Sequence, residues 1–185
     1  MNLNKRTLIG IMIVVILLSL IWIILTPVLF PPAQANVLSA PHAGFNAPDF
    51  SLSTPANESI SLSDLEGQPV LVLFWASWCS VCKAIMPGLQ EVYADFAEKG
   101  FEILAVNATN QDSLPAAIEY FQSHGYTYPM LVDEAGIASH SYQVRALPTA
   151  ILVNPDGSIR DLVIGSGLSE GYLRSELLKI LDERE

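Results

Sequence analysis

The sequence predicts an α/β sandwich, a mixed β-sheet with layers on both faces, and three observations carry that expectation. Two continuous apolar runs, "PVLVLFWA" over 69–76 and "FEILAVNA" over 101–108, have the texture of central strands buried on both sides. Segments of helical period alternate with the strands, as in units whose crossovers cover a sheet. Near the C-terminus "TAILV" and "SIRDLVIG" flank the tight turn "NPDG", so a hairpin adds antiparallel strands.

Ahead of this domain, Thr7–Phe30 runs for 24 residues without a charge. A helix rising about 1.5 Å per residue needs about 20 residues to cross about 30 Å of hydrocarbon. No polar face exists at any helical period, which disfavours a buried soluble helix. Lys5 and Arg6 precede the run and resist translocation, so the rest of the chain is expected outside the cytoplasm. The expected layout is a cytoplasmic N-terminus over 1–6, a transmembrane signal anchor over 7–30, a flexible linker over 31–44 and a folded domain over 45–185. That makes a single-pass protein of the cell membrane with an extracytoplasmic C-terminal domain. A cleaved secretory signal is the alternative, because "AQA" at 33–35 fits a small-x-small cleavage site. The apolar run exceeds the about 7 to 15 residues of a signal, and the anchor is favoured. The linker is rich in Pro, Ala and Asn and carries no charge.

All 19 acidic residues but seven of the nine basic ones follow the apolar run, giving the exported portion a net charge of −12. Nucleic acid is a poor partner for such a surface.

Within the domain, "DFSLST" and "ESISL" flank Pro55, Ala56 and Asn57, which predicts an N-terminal β-hairpin extension. "SDLEGQ" reads as a helical turn before the strand over 69–76. Ile85, Leu89, Val92, Phe96 and Ala97 then recur at steps of three and four until Gly100 ends the helix. After the strand over 101–108, "SLPAAIEYFQSHG" begins with a Ser cap and an early Pro and ends at Gly125, a second helix. "YPMLVD" is a further strand and "GIASHSY" a short helix; after the hairpin, "SEGYLRSELLKILDE" closes as an amphipathic helix.

Both cysteines lie in "FWASWCSVC", residues 74–82. Cys79 follows the end of a buried strand where a helix begins, and the free N–H groups and dipole there favour a thiolate. Cys79 is therefore the expected attacking sulfur. Cys82, one turn further in and more buried, suits the resolution of a mixed disulfide. A stapling disulfide explains the pair poorly, since closing so small a loop removes little unfolded-state entropy. Zinc needs about four ligands, and the chain has no third cysteine, with His124 and His140 isolated. A two-thiolate Cu(I) site stays open as an alternative.

These residues resemble a known family. "FWASWCSVC", Lys83, Pro87 and "VRALPT" with Pro148 look like thioredoxin-fold proteins. "APDFSLS" followed by "ISLSDLEGQPVLVLFWASWC" is similar to the membrane-anchored TlpA/ResA-like thiol-disulfide oxidoreductases, whose domain is of the AhpC/TSA redoxin type. The resemblance spans about Gly44 to Leu181 and implies a thioredoxin-like fold. It makes Cys79 the nucleophile and Cys82 the resolving cysteine, and sets Trp75 and Trp78 beside the site. Pro148 matches a cis-proline facing the disulfide, and Trp78, Leu147 and Pro148 are the expected substrate-binding residues. Only about 5 to 6% of X-Pro bonds are cis in folded proteins, so that isomer rests on the resemblance. Core packing is an equal reading of Trp75, and Pro87 matches a helix kink.

Two departures bear on mechanism. Thioredoxins place a buried carboxylate six residues before the nucleophile, where this chain has Leu73, and ResA-like proteins of cytochrome c maturation place a glutamate where it has Ile85. The Ser80-Val81 dipeptide also departs from the Gly-Pro or Glu-Pro of reducing members. A thiol peroxidase of the redoxin superfamily is disfavoured by Ala76, where peroxiredoxins have a Thr, and the copper-binding SCO type by its C-x-x-x-C spacing.

The expected protein is a membrane-tethered protein-disulfide reductase using a Cys79–Cys82 dithiol; a Cu(I)-delivery module and a thiol peroxidase are the alternatives. No cofactor beyond the redox-active disulfide and no metal is expected, and no nucleotide fingerprint is present for NADPH. The implied partners are exported proteins with disulfides and a membrane thiol-electron transporter.

Overall fold

The computed structural model describes residues 42–183, together with Met12, Val15–Ser19 and Trp22, which are helical and exposed. Chain contacts divide the protein into Met1–Leu38 and Ser39–Glu185. Among the described residues no helix is long and apolar enough to cross a membrane. The transmembrane helix expected over 7–30 lies, those few positions apart, outside the described residues, as does the linker up to residue 41. Gly44, the last residue of the expected linker, donates its N–H to the Ile159 carbonyl at 2.8 Å, and Asn46, two residues on, bridges Ser158.

Among the described residues one sheet contains β1 (Ser51–Ser53), β2 (Ser59–Ser61), β3 (Val70–Trp75), β4 (Glu102–Asn107), β5 (Met130–Val132), β6 (Thr149–Val153) and β7 (Ile159–Ile164). Its order is β2-β1-β5-β4-β3-β6-β7. The β3–β4 and β4–β5 pairs are parallel, while β1–β2, β1–β5, β3–β6 and β6–β7 are antiparallel, so the sheet is mixed as expected. The helices are α1 (Ser80–Phe96), α2 (Leu114–Ser123), α3 (Ile137–Ser141) and α4 (Glu170–Asp182).

Alternation along β3 builds two cores, because successive side chains of a strand point to opposite faces. Leu71, Leu73 and Trp75 pack with Met86, Leu89 and Val92 of α1, Phe121 of α2 and Leu173 and Leu177 of α4. Val70, Val72 and Phe74 face the other way, toward Tyr142, Ala138 of α3, and Phe50, Leu52 and Leu62 from the hairpin region. Every residue of β3 is buried, the reason its sequence shows no polar alternation.

The helical pattern needs two refinements. On α1 the buried stripe is Cys82, Met86, Leu89, Val92 and Phe96; Ile85 is half-buried beside it, and Ala97 falls in a 3-10 turn over Ala97–Lys99. Gly100 follows with φ of 86°, the left-handed conformation that ends the helix. Pro87 lies inside α1 without ending it. Ser113 occupies the cap position of α2, but its side chain makes no capping bond; its N–H is instead taken by Asp112 Oδ1 at 2.8 Å.

Candidate active site

Strand β3 stops at Trp75 and α1 starts at Ser80, so the Ala76–Cys79 turn sits at one edge of the sheet. The turn closes on itself, with Cys79 N–H donating to the Ala76 carbonyl at 3.1 Å. Cys79 is then the N-cap of α1, and its Sγ accepts the Cys82 N–H at 3.1 Å. Sulfur thus takes the place an oxygen usually holds over the first free donors of a helix. The two cysteines form a disulfide with Cα atoms 5.3 Å apart. Cys79 retains 5% of its surface and Cys82 none, so Cys79 is the less buried of the pair.

The other expected site residues fall around this turn. Trp78 is 59% exposed, and its indole N–H donates to the Gln111 carbonyl at 2.9 Å. Leu147 is half-buried and packs against the cluster that contains both cysteines. The Leu147–Pro148 peptide is cis, and Pro148 is buried. Phe74 pairs with Thr149 across antiparallel strands, so Pro148 comes level with Trp75, at the sheet edge that carries the cysteine turn. The Pro148 carbonyl accepts from Gly165 at 2.8 Å, whereas Leu147 makes no backbone hydrogen bond among the described residues.

Trp75 has no exposed surface and packs its ring against Tyr120 and Phe121, a core residue beneath the site. Leu73 is fully buried in the same core as Cys82, and Ile85 lies half-buried at its border, so neither position carries an acid-base group. The Lys83 ammonium lies 4.8 Å from the centre of the Tyr120 ring. Among the described residues no group of three or more His, Cys, Asp or Glu is placed to hold a metal.

One carboxylate at the site escaped the sequence reading. Asp112 accepts the Ser77 N–H and the Ser77 hydroxyl, both at 2.6 Å, the Asn107 amide at 2.8 Å and the Ser113 N–H at 2.8 Å. Burial alone would raise its pKa, but these four donors outweigh burial and hold the carboxyl below its ordinary value. Asn107, with no exposed surface, is fixed in turn by the Thr109 hydroxyl at 2.9 Å. The run "NATNQD", which starts on the last residue of a buried strand, was the available signal, yet Ser77 and Asp112 stand 35 positions apart.

The chain is similar to known proteins along most of this domain. Residues 43–162 match the AhpC/TSA family model. The thiol-disulfide oxidoreductase ResA of Oceanobacillus iheyensis is 36% identical over 137 residues, 70% of this chain and 70% of its own length. The thioredoxin-like protein YneN of Bacillus subtilis is 36% identical over 66% of this chain and 72% of its own. A crystal structure of a putative thiol:disulfide interchange protein DsbE from Chlorobium tepidum superposes with a TM-score of 0.68 at 28% identity, covering 75% of this chain and 97% of that one. StoA from Bacillus subtilis gives 0.61 at 27% identity, covering 70% and 96%.

Proposed function

Because this chain belongs to the AhpC/TSA family and is a thiol-disulfide oxidoreductase, we propose that it reduces disulfides of exported proteins while tethered to the outer side of a membrane. The observation that carries the reading is the Cys79 sulfur at the N-cap of α1, facing the Cys82 N–H at 3.1 Å. In the reduced protein that N–H and the helix dipole stabilise a Cys79 thiolate. The thiolate attacks one sulfur of a substrate disulfide; that bond breaks, its second sulfur leaves as a thiolate, and a mixed disulfide forms. Cys82, deprotonated, then attacks the Cys79 sulfur, expelling the other substrate thiolate. Two electrons pass to the substrate, whose two thiolates take up two protons, and the Cys79–Cys82 disulfide remains.

Trp78 and Val81, both exposed, supply apolar surface around the sulfur. Leu147, whose backbone groups are free of the sheet, is placed to pair with an extended substrate segment. The charge-free stretch from Thr7 to Phe30, with Lys5 and Arg6 before it, supports the tether and its orientation. A membrane thiol-electron transporter is the class of partner that would restore the dithiol from the cytoplasm.

The test is the reduction potential of the full chain in detergent, equilibrated against glutathione or dithiothreitol. A value near or below about −250 mV, the thioredoxin range, agrees with a reductase. One above about −150 mV, toward the DsbA end, assigns it instead to disulfide insertion.

A further inference from the structure

We propose that Asp112 is a positioning residue for the dithiol, clamping the Ser77–Trp78 turn so that Cys79 is held where its sulfur attacks. This rests on the disulfide-exchange reading above and adds to it a residue from a distant loop.

The need for a clamp follows from the backbone. Once β3 ends at Trp75, the next N–H groups have lost their sheet partners and require other acceptors. Ser77 meets that need on a carboxylate and adds a second, side-chain bond to it. Its N–H goes to Asp112 Oδ2 and its hydroxyl to Oδ1, each at 2.6 Å. Two bonds to two oxygens fix an orientation as well as a distance, and an ionised acceptor strengthens both.

The carboxylate is itself immobilised from behind. Asn107, the last residue of β4, donates to Oδ2, and Ser113, at the start of α2, donates to Oδ1. Four donors on two oxygens leave Asp112 little freedom, so it transmits the rigidity of β4 to the cysteine turn. A second fastener lies one residue on, where the Trp78 indole N–H holds the Gln111 carbonyl. Residues 77 and 78 are thus pinned to 112 and 111 immediately before Cys79. What the clamp protects is the 3.1 Å approach of the Cys82 N–H to Cys79 Sγ, a contact that a shift of about 1 Å would lose.

The test compares Ser77→Ala, Asp112→Ala, the double variant and Asp112→Asn in the full chain. Two quantities are read: kcat/KM for insulin reduction, and the midpoint of the pH profile for Cys79 alkylation by iodoacetamide. Thermal unfolding checks that each variant folds. The clamp predicts that Ser77→Ala and Asp112→Ala both move the alkylation midpoint to higher pH. Each lowers kcat/KM, Asp112→Ala by about tenfold. The double variant is no worse than Asp112→Ala. Asp112→Asn, whose amide oxygen still accepts from Ser77, recovers much of the loss. If Asp112→Ala moves the midpoint to lower pH while Ser77→Ala leaves it unchanged, the carboxylate acts as a bare charge and the clamp is wrong. Lowered melting temperatures with both readouts unmoved reduce Asp112 to a fold anchor, which also overturns it. Failure of the unsubstituted protein to reduce insulin strikes the exchange reading instead, and the alkylation midpoints still decide the clamp.

Discussion

The backbone N–H of Cys82 donates to the sulfur of Cys79 at 3.1 Å, which makes Cys79 the cap of α1, and Cys79 is also the less buried of the two cysteines. Position and exposure give the two cysteines unequal chemistry. Cys79→Ser should bring insulin reduction to background, since no attacking sulfur remains. Cys82→Ser should still attack but fail to resolve, so a mixed disulfide with substrate accumulates as a band on non-reducing gels. Equal trapping by both variants would contradict the assignment.

Proton removal from Cys82 has no carboxylate among the positions that serve it in related folds. Ile85 lies one helical turn beyond Cys82 and is half-buried against the same core. Ile85→Glu places a carboxylate at i+3 from the resolving cysteine. Resolution of the mixed disulfide at neutral pH should accelerate by about a hundredfold, at the low end of general-base effects. Stopped-flow rates across pH 5 to 9 read this directly; unchanged rates would show that water or substrate already removes the proton efficiently.

Trp78 combines an exposed apolar face with a hydrogen bond to the Gln111 carbonyl. It is 59% exposed and tied by one hydrogen bond, so Trp78→Ala should change stability by no more than about 1 kcal/mol. Its indole is apolar surface beside the attacking sulfur, and kcat/KM for insulin should fall by about three- to tenfold. The rate with a small aromatic disulfide should fall less, because such a probe needs little of that surface.

What the sequence made legible was what rests on local pattern. β3, β4 and β6 appear as apolar runs because they are buried on both faces, and Cys79 and Cys82 stand out because strand, turn and helix are contiguous around them. The antiparallel pairing of Ser53 with Val132, which joins the N-terminal hairpin to the main sheet, depends on long-range geometry that neither segment encodes alone. The Ser77–Asp112 contact was hidden for the same reason. Met86 was missed differently: Ile85 gives an equally good periodicity with Leu89, and only the direction of the α1 axis over the sheet decides which is buried.

That choice has a measurable energy. Met86 has no exposed surface and fills the core between α1 and β3, so Met86→Ala should destabilise by about 2 to 5 kcal/mol, the range for large-to-small core changes. Ile85→Ala, at a half-buried position, should cost less. Urea unfolding with unchanged m-values checks both, and the reverse ranking would mean that α1 is rotated about its axis relative to the sheet.

Asp112 links stability to pH with a definite sign. Burial raises its pKa, but the donors from Asn107, Ser77 and Ser113 outweigh it, and the folded value lies below the ordinary 3.8. A carboxyl with a depressed folded pKa contributes stability that is present above its unfolded value and is lost as pH falls through the folded value. The unsubstituted protein should therefore be more stable than Asp112→Asn at pH 7 and pH 5. The gap should narrow below about pH 3.8, as Asp112 becomes protonated and the two side chains become equally uncharged. Asp156, Glu176 and Glu183 also have lowered values, so acid weakens both proteins, and only the difference between them isolates Asp112. Urea midpoints at pH 7, 5, 4, 3 and 2 measure that difference. No gap at any of these pH values would mean that the shape of the Asp112 side chain, and not its charge, holds Ser77.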